Sequence, residues 1–139
     1  MAQSIREVMT ADPRTVESGA TVADAAREMR DGDIGSVVVV ENGTVAGIIT
    51  DRDIAVRVVA EGRDPDATRV SEAATMRPTT LTVDQTVDDA ISLVREKNVR
   101  RILVVQDGRP AGIVSLGDLA IERDTDSALA EIASEPANN

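Results

Sequence analysis

Two short phrases hold the residues best placed to do chemistry: "GIITDRD" at 47–53 and "GIVSLGD" at 112–118. In each, an apolar run opening on glycine ends in an alcohol, and a carboxylate follows three residues later. The pairs are Thr50 with Asp53 and Ser115 with Asp118. At a strand-to-helix junction this spacing has the form of a capping box, in which alcohol and acid satisfy the free N–H groups of the first helical turn. The same residues suit a nucleoside phosphate. A helix start offers unpaired N–H groups and the positive end of the dipole to an anion. The hydroxyl and amides would meet phosphate oxygens, while the carboxylate accepts from ribose hydroxyls. Glycine at the head of the run admits a close backbone or ligand. Thr21 with Asp24 and Thr86 with Asp89 repeat the spacing at two further helix starts, so spacing alone favours capping.

Composition narrows the chemistry. There is no Cys and no His, which removes thiol catalysis, the usual zinc ligands and any imidazole base. Ser and Thr nucleophiles would lack an activating partner, so no enzyme is expected. The net charge of −10 opposes a polyanionic backbone, and no nucleic acid partner is expected. With no Phe, Trp or Tyr, an adenine ring could lie only between aliphatic side chains. The acid pairs Asp31/Asp33 and Asp51/Asp53 flank turns or helix starts, where solvation explains them without a metal. No run approaches the roughly 18–20 apolar residues of a membrane span. "MAQSIREVMT" lacks a signal's apolar stretch, and a cytoplasmic location is expected.

The elements that position these residues are written twice. Shifting the chain by 65 pairs Gly47 with Gly112, Asp53 with Asp118, Pro13 with Pro78, and "TVADA" (21–25) with "TVDDA" (86–90). The match runs without a gap from residue 5 to residue 56. In each copy a short helical turn, with Ser4 as a cap in the first, precedes a β-rich segment after proline. An amphipathic helix follows, with Val22, Ala25, Ala26 and Met29, or Val87, Ala90, Ile91 and Val94, on one face. Two β-branched runs then meet at Asn42-Gly43 or Asp107-Gly108, dipeptides suited to tight hairpins. A final helix closes each copy, "DRDIAVRVVAEG" and the shorter "LGDLAIERD".

The expected fold is α/β of the α+β type: two tandem β-α-β-β-α units packed sheet to sheet with pseudo-twofold symmetry. The first domain spans 1–62, a connector 63–69, the second domain 70–124 and a tail 125–139, with a short helix over 127–134. A unit of about sixty residues buries little surface alone, and the "VVVV" run implies a strand covered on both faces. Ile54 with Val58, and Ala55 with Val59, make an apolar stripe broader than one sheet requires, which predicts a homodimer.

Repeat, element order and the G-h-h-[ST]-x-x-D motif (h apolar) together resemble the CBS-domain pair, named for cystathionine β-synthase, in its stand-alone bacterial or archaeal form. The resemblance covers residues 5 to about 123. It implies a regulatory module binding an adenosine-containing ligand such as AMP, ADP or ATP in clefts between the domains. It places ribose on Asp53 and Asp118, and phosphate on Thr50 and Ser115. The base would lie near Thr15–Val16 and Thr80–Leu81, and near Ile34–Gly35 and Val99–Arg100. It also implies dimerisation through the final helices. Val38 and Leu103 stand where members often carry proline. Arg100–Arg101 answers to Gly35–Ser36, and Arg52 to Gly117, so the clefts are not equivalent. At a strand start Arg100 and Arg101 point to opposite faces. One would be solvated and the other ion-paired, or one would grip phosphate bidentately. With no effector domain attached, a regulated protein is expected on another chain. The alternative is a structural interaction module without nucleotide, its [ST]-x-x-D motifs serving only as caps.

Overall fold

The computed structural model describes residues 3–123. In chain order the elements are α1 (Ile5–Val8), β1 (Thr10–Ala11), β2 (Thr15–Glu17), α2 (Val22–Gly32), β3 (Ser36–Glu41), β4 (Thr44–Thr50) and α3 (Asp51–Ile54). A π-helical segment, Ala55–Val59, continues α3. Then come α4 (Val70–Ala73), β5 (Thr75–Met76), β6 (Thr80–Thr82), α5 (Val87–Lys97), β7 (Arg101–Gln106), β8 (Arg109–Ser115) and α6 (Leu116–Arg123). The proposed tail helix over 127–134 lies outside the described residues.

Each copy builds the expected β-α-β-β-α unit. In the first, β2 and β3 run parallel and β3 and β4 antiparallel. Thr21 caps the start of α2, and Asp33 closes it in the left-handed region at φ 53°. Asn42 and Gly43 turn the hairpin with φ of 53° and 81°, and Asp107 and Gly108 do the same at 54° and 79°. Positive φ at both central residues suits the twist of paired strands, and Asn-Gly and Asp-Gly adopt it most readily. All of Val37–Val40 are buried. Val37 and Val39 enter the helix-side core while Val38 takes the other face, so β3 is covered on both sides as the valine run predicted.

The two-residue strands were not legible in the sequence. The sheets are ordered β2-β3-β4-β5 and β1-β8-β7-β6. Thus β5, which opens the second repeat, pairs with β4 of the first, and β1, which opens the first, pairs with β8 of the second. The compact units interleave the repeats accordingly. One gathers the described residues up to Asp12, Thr79–Asp107 and the described residues from Ala111; the other gathers Pro13–Pro78 and Gly108–Pro110. Ile5 of α1 is fully buried among Val87, Ala90, Val94, Ile102 and Leu119, while Val70 and Ala73 of α4 pack with Val22, Ala25 and Ile49. Complete burial of a side chain such as Ile5 contributes roughly 1.5–3 kcal/mol. Each unit therefore draws part of its core from the opening segment of the other repeat.

Glycine is required where these strands cross. A Cβ on Gly47 would lie 2.6 Å from the Thr75 carbonyl oxygen and 2.8 Å from Met76 Sδ. On Gly112 it would lie 2.6 Å from Met9 Sδ and 2.7 Å from the Thr10 carbonyl oxygen. The close approach that glycine permits at the head of each motif is made by backbone.

The final helices differ between copies. The expected helix of copy one holds α geometry only over Asp51–Ile54 before widening, with Ala60 N–H donating to the Ala55 carbonyl at 2.9 Å. Its run of Ile54, Val56, Val58 and Val59 is β-branched, which crowds a regular α-helix. Copy two, with Leu119 and Ala120, stays α-helical.

Candidate functional site

All four [ST]-x-x-D pairs are reciprocal caps. Thr50 Oγ1 accepts from Asp53 N–H at 3.1 Å, and Asp53 Oδ2 accepts from Thr50 N–H at 2.9 Å. Ser115 and Asp118 exchange the same bonds, both at 3.1 Å. Thr21 with Asp24 does so at 3.1 and 3.2 Å, and Thr86 with Asp89 at 3.2 and 3.0 Å. Accepting the Thr21 N–H, with help from the Thr21 side chain and Arg27, holds the Asp24 carboxyl below the usual range. The capping role read from the spacing is therefore met at all four of these helix starts.

Burial separates the pairs. The side chain of Asp24 is 51% exposed and that of Asp53 only 14%. Asp89 is likewise exposed, whereas Asp118 is half-buried. The four alcohols are all half-buried, so the difference lies in the acids: an exposed one is sufficient for a cap, and those at the strand ends are the less exposed.

The strands fix what surrounds them. In the first-repeat unit Thr15 lies beside Val38, and Ser36 beside Thr50. Val16, Val39 and Ile49 turn into the core, so Thr15, Ser36, Val38 and Thr50 share the opposite face. In the other unit Thr80 lies beside Leu103, while Leu81, Val104 and Val114 turn inward. Thr80, Arg101, Leu103 and Ser115 share that sheet's opposite face. The Asp51 N–H donates to the Gly35 carbonyl at 2.9 Å, and the Leu116 N–H to the Arg100 carbonyl at 2.8 Å. These bonds bring 34–35 to Thr50 and Asp53, and 99–100 to Ser115 and Asp118. Ile34 is exposed, and Gly35, Val99 and Arg100 are half-buried. The sequence-derived residues thus gather into two clusters, one in each unit. Val16 and Leu81 are corrections at the level of the side chain, because both are committed to the core and only their backbones remain available.

Two charged features were not foreseen. Arg57, four residues after Asp53, places Nε 3.8 Å from Asp53 Oδ1 and donates from Nη1 to the Ala73 carbonyl at 3.3 Å. The i,i+4 spacing was a visible signal for this pair. Arg101 is not the solvated group that one reading made of it: its Nη1 is buried and has no hydrogen-bond partner among the described residues. No cluster of three or more metal-ligating side chains occurs among the described residues.

A duplicated β-α-β-β-α module, with a half-buried alcohol–carboxylate cap ending the last strand of each copy, defines the class as a CBS-domain pair. Residues 5–60 and 66–123 each match the CBS domain, and the chain belongs to that family. It is 37% identical over 120 residues to the CBS domain-containing protein YhcV of Bacillus subtilis, covering 86% of this chain and 85% of that one. Among solved structures, a CBS-domain protein of Burkholderia ambifaria with a suggested signal-transduction role is 30% identical with a TM-score of 0.74. The match covers 91% of this chain and 98% of that one. The hexameric CBS-CP12 protein from bloom-forming cyanobacteria is 27% identical with a TM-score of 0.79, covering 94% and 76%.

If the alcohols are caps, Thr21→Ala and Thr50→Ala should each lower the unfolding free energy by about 0.5–2 kcal/mol in urea titrations. Wild-type stability in either variant would contradict that assignment.

Proposed function

We propose that the protein is a non-enzymatic regulatory sensor that binds an adenosine-containing nucleotide of the AMP, ADP or ATP class. The observation that carries this reading is the burial of Asp53 and Asp118 relative to their exposed counterparts Asp24 and Asp89. In each, Oδ2 is engaged by the cap, and Oδ1 is the oxygen to which a ribose hydroxyl would donate. Thr50 and Ser115, with the helix-start amides, would face phosphate. The base would rest on the outward faces near Thr15 and Thr80 and against Ile34, Gly35, Val99 and Arg100, with Arg101 reserved for phosphate. Family membership supports a regulatory role, as does the signal-transduction role suggested for the Burkholderia ambifaria relative. The lack of His and Cys supports the non-enzymatic part. The reading places the protein in the cytoplasm, acting on a regulated partner protein.

The rival interaction module draws on one specific observation, that all four acids are engaged as caps. Titration calorimetry with AMP, ADP, ATP, NAD and S-adenosylmethionine separates the two. The expected result is saturable heat with at least one adenine nucleotide, and flat traces with all five would leave only the interaction module.

Self-association belongs to the same reading. Ile54 and Val58 face the core, but Val56 and Val59 are 47% and 66% exposed, with Ala55 beside them. The hexameric cyanobacterial relative supports assembly of some kind. Light scattering at micromolar concentration should give a dimer mass that Val59→Glu reduces to a monomer. A monomeric wild type would sink the dimer.

A further inference from the structure

We infer that Met9 and Met76 are modification sites: their oxidation to sulfoxide by a peroxide loosens the two glycine crossings and makes the fold redox-sensitive.

Composition confines such chemistry to methionine. The chain has four Met and no Cys, Trp, Tyr or His, so thioether sulfur is its only readily oxidised group. Met29 is 7% exposed and belongs to the core. Met9 and Met76 are half-buried, each packed against the core of its own unit and within reach of solvent.

Their placement ties the sulfurs to the crossings. Met9 Sδ lies 2.6 Å from the point that a Cβ on Gly112 would occupy, and Met76 Sδ lies 2.8 Å from the matching point on Gly47. Each thioether fills the space that glycine leaves open, a use suited to a flexible, polarisable side chain. The same points lie 2.7 Å from the Thr10 carbonyl oxygen and 2.6 Å from that of Thr75. The arrangement is not a copy made by the repeat. On the 65-residue shift Met9 answers to Ala74, and Met76 to Ala11. Two different positions therefore deliver sulfur to the same kind of crossing.

Oxidation acts on this packing directly. A sulfur lone pair attacks one oxygen of hydrogen peroxide; an S–O bond forms, the O–O bond breaks, and water leaves with both hydrogens. Sulfur gives up two electrons and the peroxide takes them. The sulfoxide is larger and polar, and its oxygen accepts hydrogen bonds without donating any. The carbonyl oxygen beside it is also an acceptor, so the new group gains no partner there, and a half-buried polar group without one is costly. A methionine sulfoxide reductase driven by a dithiol removes the oxygen as water, so the change is reversible.

Hydrogen peroxide treatment of the full chain, followed by peptide mass mapping and thermal melts, tests this. Met9 and Met76 should gain oxygen well before Met29. The oxidised wild type should melt at least about 4 °C lower, and the reductase should restore the original value. The double variant Met9→Leu/Met76→Leu nearly conserves volume, and peroxide should leave its melting temperature unchanged. If the double variant does not fold, Met9→Leu and Met76→Leu carry the test singly, each removing its part of the shift. Oxidation of Met9 and Met76 without a fall in melting temperature would overturn the inference. So would an undiminished fall in the substituted variants, or Met29 reacting as fast as the other two.

Discussion

Two backbone crossings, over Gly47 and over Gly112, hold the rest of the structure in place. At each, a two-residue strand lies so close to the glycine that a single methyl group would strike a carbonyl oxygen. The strand is anchored by the helical turn before it, whose Ile5 or Val70 is fully buried. Each crossing lies three residues ahead of an alcohol cap, and it aligns the end of β4 or β8 that delivers Thr50 or Ser115 to the helix start. The opening segment of either repeat is thus a structural part of the other repeat's unit, and neither repeat sequence alone supplies a complete core.

Much of this was legible because the relevant physics is local. The 65-residue repeat, the four caps, the Asn-Gly and Asp-Gly hairpins and the helical faces each depend on neighbours within a few positions, where residue type dictates geometry. The reciprocal docking was not legible. Strands such as Thr10–Ala11 and Thr75–Met76 are too short to show a period, and their partners lie far along the chain. Gly47 was correctly read as a point of close approach, but one sequence cannot say whether backbone or ligand approaches. Val16 and Leu81 follow the same logic. Period-2 alternation puts one residue of each pair inward, and the pairing with Val39 and Val104 decides which.

Geometry and charge diverge between the halves. The caps, hairpins and crossings are repeated almost bond for bond, whereas the charged residues beside them are not. Arg52 and Arg57 follow the first alcohol cap; at the corresponding positions the second repeat has Gly117 and Glu122 in its sequence, and it carries Arg100 and Arg101 where the first has Gly35 and Ser36. A duplicated scaffold therefore presents two different electrostatic surfaces, since side chains off the core are free to vary while the backbone contacts are not. The four caps serve the starts of α2, α3, α5 and α6, and only at the last strand of each copy is the capping acid drawn out of solvent.

The dependence on the crossings is tested most directly by urea unfolding of Gly47→Ala and Gly112→Ala, with Gly19→Ala as control because nothing lies within 4 Å of its added Cβ. The account predicts that the first two lose about 1–3 kcal/mol, the range for overpacking a tight contact, while the control stays near wild type. If Gly47→Ala and Gly112→Ala unfold at the same urea concentration as the control, the interleaved strands do not hold these units together.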